Sequence, residues 1–166
     1  MHFLKSSSSF CLFLIVLIFS PVLLAAEDEM VFSLAAEDNS EELGEALQDF
    51  LDINKTDTNG MTLLLNAVLY GNLKNTVTLL EAGADPEISN GLGLNPLFLA
   101  IRNGDTELVD ILLDNGADSE AQIEDGSTPL IFASMLGELG VVRNLLNRGV
   151  NVEACLLYTS PSPRDS

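Results

Sequence analysis

The chain has 166 residues with 25 acidic against 7 basic side chains, a single histidine, a net charge of −18 at pH 7 and a mean hydropathy of +0.29. So acidic a chain repels phosphate backbones and anionic lipid surfaces, which argues against nucleic acid and charged membranes as partners. Part of the hydropathy comes from the N-terminal segment alone.

Residues 1–26 open with His2 and Lys5, run through an apolar core from Phe10 to Phe19, and pass Ser20-Pro21 to reach Ala25-Ala26 before the acidic Glu27. A basic start, an apolar middle and small residues at the end are the layout of an export signal peptide. Cleavage is expected near Ala25 or Ala26. The alternative is a retained anchor, because Val22–Ala26 prolongs the apolar run toward spanning length. Cys11 lies inside the apolar run, a poor place for lipidation. From Glu27 to Ala154 five basic residues (Lys55, Lys74, Arg102, Arg143, Arg148) face twenty-four acidic ones, a balance of −19, and the histidine has gone with the signal. These charges read first as solvated faces that keep an exported protein soluble, and second as a field that steers a basic partner.

Residues 27–58 read as a degenerate N-terminal capping repeat. Met30, Val31, Phe32, Leu34 and Ala35 suit a first helix. Asn39-Ser40-Glu41-Glu42 resembles a capping box that opens a second, with Leu43, Leu47, Phe50 and Leu51 on one face. Glu37, Asp38, Glu41, Glu42, Glu45 and Asp49 are expected to look outward, as the end of a stacked array requires.

Residues 59–89, 90–122 and 123–154 then repeat one unit. Gly60, Gly93 and Gly126 stand 33 residues apart; so do Ala67, Ala100 and Ala133, then Gly71, Gly104 and Gly137, then Gly83, Gly116 and Gly149. Self-similarity at this period marks a stacked array. Thr62, Asn95 and Thr128 sit where a helix N-cap belongs, followed by Leu63, Pro96 and Pro129 at the first helical position. In the middle unit Leu97, Phe98, Ala100 and Ile101 predict a short first helix ended at Gly104. Asp105 caps a second helix carrying Leu108, Val109, Ile111, Leu112 and Leu113, which Gly116 closes. That apolar face is too large for one helix pair to cover, so neighbouring units must bury it.

Residues 155–166 drop the periodicity. Cys155–Asp165 corresponds to a translation of adapter DNA from transposase-based library preparation, so the tail reads as non-native, with a Ser/Pro-rich disordered tail as the alternative. The natural chain is then expected to continue past Ala154 into further repeats or a cap. Setting aside Cys11 and Cys155 leaves 27–154 without cysteine or histidine. Ser/His/Asp and Cys/His nucleophilic sites and the usual zinc sites therefore have no residues to build them, and no cofactor or metal is expected. Carboxylates are abundant, but they fall on outer helix faces and Gly-Ala-Asp corners. Asp57-Thr58-Asn59-Gly60 has the look of a calcium loop without the closing bidentate Glu, and reads as a turn.

The repeated unit resembles the ankyrin repeat family. Its turn, Thr-Pro-Leu-His, Ala, Gly, Val/Leu-rich helix and Gly-Ala-Asp pattern is met by Gly126, Thr128-Pro129-Leu130, Ala133, Gly137, Val141-Val142, Leu145-Leu146 and Gly149-Val150-Asn151. Asn95-Pro96-Leu97, Ala100, Gly104, Leu112-Leu113 and Gly116-Ala117-Asp118 meet it as well, and Leu64, Ala67, Gly71, Leu79-Leu80 and Gly83-Ala84-Asp85 more loosely. The match runs from about Asn59 to Ala154. The family histidine is replaced by Leu65, Phe98 and Ile131, so apolar packing is expected where that residue would brace the turn. The resemblance implies an all-α ankyrin-repeat solenoid of stacked helix-turn-helix units joined by hairpin-like loops. It also implies a concave face, built by first helices and turn tips, that holds a partner.

On that face the resemblance places Met61, Leu69 and Tyr70 from the first copy and Leu92, Leu94, Arg102 and Asn103 from the second. From the third come Glu124, Asp125, Ser127, Met135 and Leu136. Tyr70, Leu92 and Leu94 are expected to be exposed, whereas Leu69 and Leu136 stand evenly between exposure and packing against a neighbour. The expected protein is a monomeric, non-enzymatic, exported (periplasmic or secreted) module that binds another protein, with a basic partner the electrostatic match. It would make no stable membrane insertion once the signal is removed. The alternatives are an accessory domain of a larger enzyme continuing past Ala154, and a membrane-tethered scaffold.

Overall fold

A computed structural model describes residues 30–37, 39–48 and 52–152. The signal segment, Asp38, Asp49, Phe50, Leu51 and the C-terminal tail lie outside the described residues. Helix α1 covers residues 30–36, followed by α2 (Ser40–Leu47), α3 (Leu63–Leu69), α4 (Leu73–Glu81), α5 (Pro96–Arg102), α6 (Thr106–Asp114), α7 (Pro129–Leu136) and α8 (Leu139–Asn147). Among the described residues there is no strand, only one isolated antiparallel bridge between Thr56 and Thr62.

The local chemistry explains each boundary. The side chains of Thr62, Asn95 and Thr128 accept the N–H of Leu65, Phe98 and Ile131, satisfying a donor that the first turn leaves free. Proline at the next position costs α5 and α7 nothing. Gly71, Gly104 and Gly137 end the first helices at φ of +74°, +69° and +78°, a region closed to most side chains. Asp105 caps α6 by accepting from Glu107 and Leu108 N–H, but Asn72 and Glu138 in the equivalent places make no such bond. At the N-terminal pair Asn39 accepts the Glu42 N–H, and its amide donates to the Glu42 carboxylate.

Two layers result. Helices α3, α5 and α7 pack side by side, and α2, α4, α6 and α8 form the second layer. One continuous core joins them: Leu63, Leu64, Ala67, Leu79, Leu97, Ala100, Leu108, Leu112, Ala133, Val141 and Leu145 are all buried in it. Leu65, Phe98 and Ile131, standing in for the family histidine, are buried too, and Phe98 meets Phe132 edge to face with ring centroids 5.4 Å apart. In α6, Leu108, Val109 and Leu112 are fully buried, while Ile111 and Leu113 are half-exposed.

Polar bonds set the repeat-to-repeat register. Asp52, Asp85 and Asp118 accept the N–H two residues on, at 3.0, 2.9 and 2.9 Å. The side chains of those next residues, Asn54, Glu87 and Glu120, then accept the N–H of Asp85, Asp118 and Asn151 from the following unit at 2.8, 2.8 and 2.7 Å. The aspartates at the corners are turn formers, and the residues two places on are the inter-repeat ties.

Candidate interaction face

Three hydrogen-bonded turns lead into the first-helix layer: Asp57 N–H to Met61 O, Asn90 to Leu94 and Ile123 to Ser127. The side chains of Asp57 and Asn90 brace their own turns. Asp57 Oδ1 takes the N–H of Asn59 and Met61, and Asn90 Oδ1 that of Leu92 and Leu94. Ile123 has no oxygen to offer, and in that turn Asp125 Oδ1 accepts the Ser127 N–H at 2.8 Å.

Of the twelve residues assigned to the face, Tyr70, Leu92, Met135 and Leu136 are large apolar groups in the open, at 62, 75, 64 and 45% exposure. Arg102, Asn103, Glu124 and Asp125 are exposed as well. Met61, Leu69 and Leu94 are half-buried and lean on the core, so the expectation of a free Leu94 is corrected. Ser127 is corrected outright: it is fully buried, and its N–H is taken by Asp125. Asn103 has a second task, donating its amide to the Val68 and Leu69 carbonyls and thereby tying α5 to the end of α3.

The second-helix layer offers different chemistry. An open recess of about 480 Å³ between α6 and α8 is lined by Thr106, Asp110, Gly140, Arg143, Asn144, Asn147 and Arg148. Arg148 bridges the two helices, pairing with Asp110 through Nη2 and with Asp114 through Nη1 at 2.7 Å. Bonding from Asn144 and then from Arg148 holds the Asp110 carboxyl below its ordinary range. A carboxylate stabilised in its charged form contributes above its ordinary pKa and loses that contribution as pH falls through the lowered value. Arg148→Ala is therefore expected to cost at most about 1 kcal/mol at neutral pH, as half-exposed pairs do. The cost should shrink once Asp110 is protonated. Urea midpoints of both chains at neutral and acid pH measure this, and a difference that grows on acidification would contradict it.

Among the described residues no group of three or more His, Cys, Asp or Glu side chains is placed to hold a metal ion. No described helix is long and apolar enough to cross a membrane. Sequence reading missed the inter-repeat acceptors Glu87 and Glu120 and the Arg148 bridge. The first had a signal, since Asn54, Glu87 and Glu120 stand 33 residues apart like the glycines.

Short helix pairs that share one core with the pairs before and after them, entered by matching turns, define a helical-repeat solenoid. The chain belongs to the ankyrin repeat family: the family's model, ankyrin repeats in three copies, matches residues 75–154. A comparison with curated proteins gives no match. Ankyrin repeats are generally protein–protein interaction modules, and domains built from them are typically non-catalytic.

Proposed function

We propose that this is an exported, non-enzymatic binding module that captures a partner protein on the face formed by its first helices and turn tips, in an accessory, stabilising or inhibitory role. The observation that carries the reading is the exposure of Tyr70, Met135 and Leu136 at the ends of first helices and of Leu92 in a turn that leads into one. Large apolar groups gathered on one side of an acidic protein make a surface suited to association, and aromatic anchors supply most of the energy of such contacts. Export rests on the basic, apolar, small-residue order of residues 1–26, and the role of 27–58 as a capping repeat on the outward-facing Glu37, Glu41, Glu42 and Glu45. The surplus of acid favours a partner with a basic periphery and favours the chain remaining a monomer.

Because Leu94 supports the core, the test pairs Tyr70 with Leu92. Tyr70→Ala with Leu92→Ala is expected to leave far-ultraviolet circular dichroism unchanged and to reduce capture from an extract of the source cells at least tenfold (about 1.4 kcal/mol). Leu139→Ala, which removes an equally exposed leucine from the second-helix layer, should leave capture intact. Capture that survives the double change, or that depends equally on Leu139, would remove this face from consideration.

A further inference from the structure

The helices of the first layer carry a charge pattern opposite to that of the chain. Their sequences, LLLNAVL in α3, PLFLAIR in α5 and PLIFASML in α7, contain no acidic residue and one basic residue, Arg102. The acids near this face belong to the turns: Asp57 and Asp125 are occupied by backbone N–H groups, and Glu124 lies over Gly93. Glu138, whose carboxylate rests against Gly104, makes no ion pair with Arg102. Arg102 is exposed, and among the described residues it has neither a hydrogen-bond nor an ion-pair partner. At the 33-residue interval it stands between Leu69 and Met135, and the next row reads Tyr70, Asn103, Leu136. Asn103 is committed to the α3 carbonyls, so Arg102 is the cation left to meet whatever covers these rows.

We propose that the partner segment held on this face is apolar and carries an Asp or Glu side chain that pairs with Arg102, with flanking apolar side chains packing on Tyr70, Met135 and Leu136. This rests on the preceding reading of the face as a docking surface. Covering a guanidinium with apolar groups alone leaves a desolvated charge, which is strongly unfavourable. A carboxylate answers it with two parallel bonds in the geometry that guanidinium presents. A lysine or arginine in its place would bring like charges together with no acid on these helices to compensate. The negative turns and second layer meanwhile favour a segment that is neutral or basic beyond its one acidic anchor.

The test is selection of a random-peptide phage library on the full chain, with peptides fused through their C-termini so that no free terminal carboxylate is displayed. Enriched peptides should contain Asp or Glu flanked by Leu, Ile, Phe or Met. Synthetic versions should bind Arg102→Glu at least about tenfold more weakly than the parent. Changing the peptide acid to Lys should weaken binding to the parent and restore it on Arg102→Glu. Circular dichroism checks that the variant remains folded. Peptides that lose affinity on Tyr70→Ala but carry no acid, or bind Arg102→Glu equally well, would overturn the carboxylate anchor and leave the docking face standing. Absence of enrichment, or enriched peptides indifferent to both Tyr70→Ala and Arg102→Glu, would overturn both.

Discussion

Phe98→Ala is expected to lower the unfolding free energy by about 3–5 kcal/mol, the range for removing a large aromatic group from a packed interior. Phe98 is almost completely buried in the middle repeat, and its ring takes the edge-to-face contact with Phe132 across to the next. Loss of that pair alone accounts for roughly 0.5–1.5 kcal/mol beyond the area term. The rest is a cavity in a solenoid, where each unit is held only by its neighbours and damage to the central one weakens both interfaces. Phe132→Ala removes the same contact from a half-exposed position and should cost clearly less. Urea unfolding of the two variants with unchanged m decides the order. Equal losses would mean that the central interface does not carry the cooperativity assigned to it.

The fold was legible because each landmark answers a local demand that recurs with every unit. A glycine is needed where φ is positive, a Thr or Asn where the first helix begins, a small alanine where helices approach. Gly104, Asn95 and Ala100 could be assigned their tasks without knowing what lay beside them. The face was less legible because exposure depends on what a neighbouring turn does. Met61, Leu94 and Ser127 share one register position, yet Ser127 is buried while the other two are half-covered. The third turn also differs in its bracing: Ile123 stands where the others have Asp57 and Asn90, and Asp125 accepts the N–H in their stead. Glu87 and Glu120 were hidden for another reason. A glutamate counts as a solvated charge until its acceptor role is seen, and here the donor lies 31 residues on. Glu87 is doubly used, taking the Asn95 amide as well.

Asn75 is the sharpest case of a residue whose role only the packing reveals, and its replacement should separate one part of the solenoid from the rest. The register gives Leu108 and Val141 at this position in the later units, both fully buried. Asn75 is equally buried, but its amide points back to the end of α1, within bonding reach of the Leu34, Ala35 and Glu37 carbonyls. Asn72 adds a bond to Ala36 at 2.7 Å and one to Ala35 at 3.3 Å. Carbonyls at a helix end have no partner within the helix, so these two asparagines take the place that water or a cap would otherwise fill. Asn75 Oδ1 remains buried without a partner, so the position serves this junction at some cost to itself. Asn75→Leu restores the side chain found in the next unit and ends that cost, but it strands the α1 carbonyls against an apolar neighbour, a loss of about 1–3 kcal/mol. The effect should be local. Amide hydrogen exchange is expected to speed up across 31–37, while protection in α5 to α8 stays as it was, because local openings are governed by the contacts of the unit that opens. A uniform loss of protection along the whole chain would show that the first helix pair and the repeats unfold as a single body. In that case the two asparagines would be one more part of the common core rather than a latch that lets the first helix pair open by itself.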